Sequence, residues 1–342
     1  MAQVEGAVLQ ARSSGASRRA PMNLAQAEDA YAQALLERRR QDMRFAFRRD
    51  YREVERVLAV ALHRAESAAT LTRRGLGRDR AQASRLVADA ESRALAVAAA
   101  ADAVWIAEPL RKRLQRSRAL ASQARALLDG GAYEDAATQA RAATQEAAQV
   151  SAALFDVTSR FTDPEHLQVW RTWVADAVAW SKRTGKTALV VDKDAHVLLV
   201  YQGGRVVREY TAELGWNNVG DKRRQGDGAT PEGRYKITEL KGRGRSRYHK
   251  ALLMDYPNAE DLKHLAQLKA AGVVPANTRA GGLIEIHGEG GRGKDWTDGC
   301  VAITNDEMDW LFSRVAVGTP VVVVGSRAGD GSFSRIARST QP

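Results

Sequence analysis

Cysteine is almost absent: Cys300 is the one cysteine in 342 residues, which excludes an intramolecular disulfide framework and a cysteine-based zinc knuckle. No run of 18 apolar residues occurs, so nothing reads as a transmembrane helix. Lysine is scarce, at 11 of the 52 basic residues, and the rest are arginine. Glycine is nearly missing from the first part, where residues 1–160 hold 6 of the 28. The start, Met1-Ala2-Gln3-Val4-Glu5, lacks the basic-then-apolar pattern of a secretory signal. That leaves a cytoplasmic protein, or an exported one whose leader is missing from this chain.

What is present divides in two. A hydrophobic share of 44% with 27% charged residues can bury a sizeable core, and the length gives a prior of about two domains. Alanine makes up roughly a quarter of residues 1–160, and alanine-rich, glycine-poor sequence is helix-prone. Residues 1–21, with Ser13, Ser14, Gly15 and Ser17, read as a flexible arm. Residues 22–185 read as an antiparallel helical bundle or arm. Its first helix is expected to run from near Asn23 to Gly75-Leu76-Gly77. Later breaks fall at Pro109 and at Asp129-Gly130-Gly131. A last helix starts at the cap Thr162-Asp163-Pro164-Glu165 and ends near Gly185. Trp170, Trp173 and Trp180 share one face of it and are expected to dock it.

From Lys186 the period changes to short β-branched runs at 187–192, 196–202, 205–213, 234–240, 251–256, 283–287 and 320–324. The first two are joined by a turn at Lys193-Asp194. Helices are expected at 259–271 and 304–315, the second opened by a Thr304-x-x-Glu307 capping box. The fold class is α+β multidomain: an all-α bundle, then a β-rich domain over 186–325, with 326–342 a loose tail.

The net charge of +11 splits as +7 in residues 1–160 and +4 in the remainder. Arginine clusters at 38–40, 73–80 and 111–118 read as solvated helix faces. The alternative is attraction to anionic lipid head groups or an acidic polymer. No zinc finger, RNP signature or bZIP heptad supports nucleic acid as a partner.

The chemistry concentrates in Ile284-Glu285-Ile286-His287-Gly288, followed by Asp295-Trp296-Thr297-Asp298-Gly299-Cys300. A strand delivers His287 at its end, and a tight turn presents Cys300. A thiol nucleophile needs a base, usually histidine. Gly299 lets backbone approach the sulfur and lets amide N–H groups face an oxyanion. On these residues alone, Cys300 is either that nucleophile or a small buried hydrophobe.

The arrangement resembles the catalytic signature of the L,D-transpeptidase family (the YkuD domain), in its Asp-Trp-Thr-x-Gly-Cys branch. Gly226 to Tyr235, with Thr230-Pro231-Glu232-Gly233, agrees with it. So do Ser246-Arg247-Tyr248-His249, Asp255-Tyr256-Pro257-Asn258 and Gly318-Thr319-Pro320-Val321. The resemblance covers roughly residues 186–325 and implies a small β-rich sandwich with the cysteine in a cleft. It implies a peptidoglycan stem peptide as substrate, Cys300 as nucleophile through a thioester, and His287 as general base and acid. Gly288 and Gly299 supply backbone support, with the Gly288 carbonyl orienting the imidazole. Thr297, Asp298, Trp296, Tyr248 and His249 fall on the substrate side, His249 with plain packing as its alternative.

An amine acceptor gives a 3→3 crosslink or attachment to a protein; water gives hydrolysis, as in an amidase of the same family. A non-catalytic envelope binding protein is the third reading. No cofactor or metal is implied, and the implied location is the bacterial periplasm or cell envelope. An envelope protein or an anionic membrane surface is the expected partner of the helical part. Two places depart from the common family pattern, Asp298 and Ala302, where many members carry histidine and arginine. The loss of that positive potential is expected to raise the thiol pKa.

Gly288 to Lys294 also fits Gly-x4-Gly-Lys, but Asp295 stands where a P-loop needs Ser or Thr. It reads instead as a mobile loop over the cleft. His287 and Glu289 lack a third metal ligand nearby. His63, His166, His196 and His264 read as surface or packing residues.

Overall fold

The computed structural model describes residues 1–341. The chain divides into two compact units, residues 1–91 with 119–143 and residues 92–118 with 144–342. The first is helical. It contains α1 (Ala2–Ser13), α2 (Ala16–Arg19), α3 (Pro21–Asp42) and most of α4 (Arg52–Asp102). Helices α5 (Glu108–Asp129) and α6 (Tyr133–Thr158) contribute to both units. Small residues set the packing. Val4, Val8 and Ala11 of α1 meet Ala30, Ala27 and Leu24 of α3, which meet Ala61, Ala65 and Ala68 of α4. One series rises as the next falls, so α1 and α4 both run antiparallel to α3, with alanine allowing close approach.

Three expectations change. Residues 2–13 form a helix with Val4, Val8 and Ala11 buried, where a flexible arm was expected. The first long helix stops at Asp42, and α4 runs without interruption through Gly75 and Gly77. Two glycines cost a helix about 2 kcal/mol, which a 51-residue element absorbs. The break at 43–51 contains neither glycine nor proline, which hides it from a reading based on breakers.

The second unit is built on one eight-stranded sheet in the order β3-β2-β1-β8-β4-β5-β6-β7. Its strands are β1 (Thr187–Asp192), β2 (Val197–Gln202), β3 (Arg205–Thr211), β4 (Gly233–Lys241), β5 (Ala251–Met254), β6 (Glu285–His287), β7 (Val301–Ala302) and β8 (Pro320–Val324). Two pairs are parallel, β1 with β8 and β6 with β7; the other pairs are antiparallel. Just past β3, Glu213 pairs with Ala302 and Gly215 with Thr297. The sheet therefore curls until its two ends meet, and the layers of the expected sandwich are two parts of one curled sheet.

Strand alternation separates two cores. Leu189, Val191, Leu198, Val200, Val321 and Val323 point into the curl. Ala188, Val190, Leu199, Val322 and Val324 face α7 (Pro164–Thr184). Trp170 is 3% exposed on that face, and a Cβ on Gly325 would lie 2.3 Å from its ring. Trp173 and Trp180 pack beside it, so the tryptophans dock the helix as expected. Helices α8 (Ala259–Ala270) and α9 (Asn305–Phe312) both open with capping boxes, Asn258 with Asp261 and Thr304 with Glu307.

The tail is ordered up to the last described residues; Pro342 lies outside them. Helix α10 (Ser332–Thr340) buries Phe333 completely. Asp194, in the expected turn, is buried and accepts the Gly331, Phe333 and Ser334 amides at 3.0, 2.7 and 3.0 Å. That carboxylate satisfies the free N–H groups at the start of α10.

Its neighbour Lys193 is fully buried too, donating to Glu232 Oε1 at 2.9 Å and to the Thr230 carbonyl at 3.1 Å. Arg160 shares the same carboxylate. Burial alone pushes Glu232 up, and the Arg160 and Lys193 charges more than reverse that, leaving it below the ordinary range. Glu232→Ala would strand two cations, so we expect a loss of about 3–5 kcal/mol, read as a lower urea midpoint. A change under about 1 kcal/mol would mean the network contributes nothing net.

Candidate active site

Strand register places His287 beside the short strand that follows Cys300. His287 ends β6, antiparallel to β5 (Ala251↔His287) and parallel to β7 (His287↔Ala302). Cys300 immediately precedes β7, two residues before Ala302.

The imidazole is fully buried and fixed on three sides. Tyr248 stacks on it at 3.6 Å between centroids with planes 6° apart, and Trp296 meets it edge-on at 5.8 Å. Nδ1 lies 2.6 Å from the Gly288 carbonyl oxygen. A carbonyl only accepts, so Nδ1 carries the proton and Nε2 keeps a lone pair. Nε2 is buried with no hydrogen-bond partner among the described residues. Burial pushes His287 down to about 4, against the opposing pull of the Gly288 carbonyl and the Glu289 charge. At neutral pH the ring is a neutral base with an unused acceptor.

Cys300 is half-buried, and its Sγ donates to the Leu283 carbonyl at 3.6 Å. Burial pushes the thiol up to about 11; the Glu285 and Asp298 charges add to this, while the Glu285 amide and Lys222 oppose it. The expected rise in the thiol pKa is therefore present, with burial its largest cause and Asp298 a lesser one. At rest the thiol is protonated and the imidazole neutral.

The turn is built to hold that sulfur. Gly299 has φ +127°, and a Cβ on it would lie 2.5 Å from the Ala229 carbonyl oxygen. Thr297 is 2% exposed; its hydroxyl donates to the Cys300 carbonyl at 2.7 Å and accepts the Gly299 amide at 3.2 Å. Expected on the substrate side, Thr297 is instead spent inside the turn, because a buried hydroxyl with both partners satisfied cannot reach a ligand. Thr230, of the Thr-Pro-x-Gly segment, accepts the Gly215 amide at 2.9 Å and reaches the Cys300 carbonyl at 3.5 Å. Asp298 is exposed and accepts from Trp216 Nε1 at 3.3 Å. His249 faces α9, with Nε2 2.6 Å from Asp309 Oδ1, so its imidazole is held away from the turn.

The loop at 288–294, expected to be mobile, is pinned at several points. The Glu289 amide donates to Asn305 Oδ1, the Gly290 amide to the Ile303 carbonyl and the Gly293 amide to Glu213 Oε1. Arg292 lies 3.4 Å over the Trp296 ring.

Several residues at this site carry no local sequence signal. Glu213 accepts Trp296 Nε1 at 2.7 Å. Asp295 accepts His196 Nε2 at 2.9 Å, the Leu214 amide at 2.7 Å and Asn218 Nδ2 at 2.8 Å. His196, expected as a surface or packing residue, thus helps anchor the start of the catalytic motif. Asn218 also accepts the Trp105 amide, and Trp105 packs on Trp216 at 5.3 Å. These side chains line a cavity of about 700 Å³ with Glu307 and Lys294; neither Cys300 nor His287 is among its walls.

Comparison with known proteins points to one family. Residues 186–323 match the model of the L,D-transpeptidase catalytic domain, YkuD. The putative L,D-transpeptidase YafK of Escherichia coli K12 is 33% identical over 97 residues, covering 28% of this chain and 32% of that protein. The chain thus spans about a third of the length of the curated relatives it matches. An L,D-transpeptidase from Mycobacterium smegmatis aligns in structure at 17% identity over 40% of this chain and 58% of its own, with TM-score 0.27. L,D-transpeptidase 1 of Mycobacterium tuberculosis aligns at 19% identity over 41% and 62%, with TM-score 0.26. Over residues 186–323 the chain carries the L,D-transpeptidase catalytic domain of the YkuD family.

Proposed function

We propose that the chain modifies peptidoglycan in the bacterial cell envelope as a cysteine acyltransferase acting on tetrapeptide stems. The observation that carries this reading is the buried, unpartnered Nε2 of His287, on the strand paired with the one that follows Cys300, with Nδ1 tied to Gly288. It is a base with a free lone pair.

In the proposed reaction, Sγ attacks the carbonyl carbon of the third stem residue as its proton passes to His287 Nε2. The Cys300 backbone N–H receives the oxyanion, the Gly299 N–H being held by Thr297 Oγ1. The C–N bond to the terminal D-alanine breaks, and His287 returns the proton to the leaving amine. A thioester remains on Cys300. An acceptor amine then attacks it, gives its proton to His287, and the C–S bond breaks to regenerate the thiol. Tyr248 and Trp296 hold the imidazole in line and keep water from it.

A second reading, hydrolysis of the same bond or of a peptidoglycan–lipoprotein link, draws on Asp298 and Ala302. Ala302 is fully buried opposite His287, so no cation occupies that place. Water then resolves the thioester.

Incubating the full chain with tetrapeptide muropeptides, with and without an acceptor amine, separates the readings by mass spectrometry. Loss of D-alanine with an acceptor adduct supports transfer. Tripeptide in both arms supports hydrolysis. Unchanged muropeptides in both arms, with Cys300 unreactive toward a thiol probe, favour the binding-protein reading.

A further inference from the structure

Apolar side chains of soluble domains are normally covered, and the connection between α3 and α4 does the opposite. Met43 is 82% exposed, Phe45 73% and Phe47 82%. A contiguous patch of this kind marks an interaction site. Slack does not explain it, because the segment is tied down by its own polar groups. Arg49 donates to the Asp42 carbonyl at 2.9 Å and to the Arg44 carbonyl at 3.1 Å. The Asp50 amide donates to Gln41 Oε1 at 3.1 Å, and Tyr51 Oη to Asp42 Oδ1 at 2.6 Å. A 3-10 turn at Ala46–Arg48 holds the two phenyl rings beside each other, 6.0 Å apart and 14° from parallel.

The charge around the patch has one sign. Residues 37–52 hold seven arginines against Glu37, Asp42 and Asp50. Those acids pair with Arg40, Arg38 and Arg52. Arg39, Arg44, Arg48 and Arg49 have no carboxylate within salt-bridge distance among the described residues, and Arg48 lies over the Phe47 ring.

We propose that Met43 to Arg49 is a membrane-docking tip that inserts Phe45 and Phe47 among the head groups of an anionic bilayer. Phenyl rings enter the interface while arginines stay at head-group level beside the lipid phosphates. The connection joins two antiparallel helices, so it is a narrow convex end. A fluid interface accepts such a shape, whereas a protein partner needs a matching cavity. A second copy is disfavoured because two tips of the same excess positive charge repel. The proposal is independent of the reaction at Cys300, and Cys300→Ala is expected to bind vesicles as the parent does.

The test is flotation of the full chain with vesicles containing phosphatidylglycerol and, separately, with pure phosphatidylcholine vesicles. The chain is expected to float with the first and much less with the second, and to be released by salt. Phe45→Ser with Phe47→Ser should lower the partition coefficient by about 10- to 100-fold. Arg44→Ser with Arg48→Ser should lower it by about tenfold. Phe45→Leu with Phe47→Leu should retain most binding, and unchanged circular dichroism excludes misfolding. An unaffected serine variant, equal binding to both vesicle types, Phe-dependent dimers without vesicles, or displacement by a single-stranded oligonucleotide each overturns the proposal.

Discussion

Cys300→Ala leaves a folded chain whose product formation falls by more than about 10³-fold, the scale on which losing a covalent nucleophile is felt. The fold should barely notice. Cys300 is half-buried, its sulfur makes one long hydrogen bond to the Leu283 carbonyl, and the turn is held by Thr297, Thr230 and Gly299 instead. Truncating one sulfur at such a site costs about 1 kcal/mol, which thermal unfolding would read as a shift of a few degrees. Intact-protein mass gives a second readout. On the proposed reading, a thiol-directed acylating agent should add its mass to the parent chain and not to the variant. Equal muropeptide turnover by parent and variant would remove Cys300 from the chemistry.

The parts of the fold written in local pattern were legible. Strands β1 and β8 coincide with the runs at 187–192 and 320–324, because continuous aliphatic residues buried on both faces leave little room for another reading. The Thr304 capping box and the Pro164 helix start are likewise local signals that the structure contains. Strand β7 was not legible, since two residues, Val301 and Ala302, carry no periodicity.

Burial reverses local chemistry in the β1–β2 turn. Lys193 and Asp194 form the expected turn, yet both are charged and partners up to 140 residues away bury them. Lys193 depends on Glu232, and Asp194 on the backbone of α10. The site divides in the same way. His287, Gly299 and Cys300 sit in one contiguous motif, whereas Glu213, Asn218 and Trp105 reach it only through the curl of the sheet and the chain preceding α5.

His287→Ala should lower kcat/KM at neutral pH by about 10² to 10⁴, the usual worth of a positioned base, and the loss should shrink as pH rises. The sign follows from the two titrations. In the parent, burial pushes His287 down to about 4 and Cys300 up to about 11. The base is therefore unprotonated and the thiol protonated across the middle range. Activity should rise as pH climbs through about 4 and then stay flat. Without the imidazole, attack depends on the small thiolate fraction, so the rate of His287→Ala should increase by about tenfold per pH unit below the thiol pKa.

Iodoacetamide alkylation of the parent should follow the same rising line, because that reagent reports thiolate. A resting thiolate–imidazolium pair predicts the reverse: alkylation of the parent already level at neutral pH, and a rising profile only in the variant. Stability carries the same signature. The unfolded chain takes up the His287 proton near the ordinary 6.5, whereas the folded chain resists until about 4. The stabilisation is complete above 6.5 and lost as pH falls through that window, about 3 kcal/mol in all. His287→Gln lacks the titration, so its acid-induced loss in this range should be smaller than the parent's by that amount.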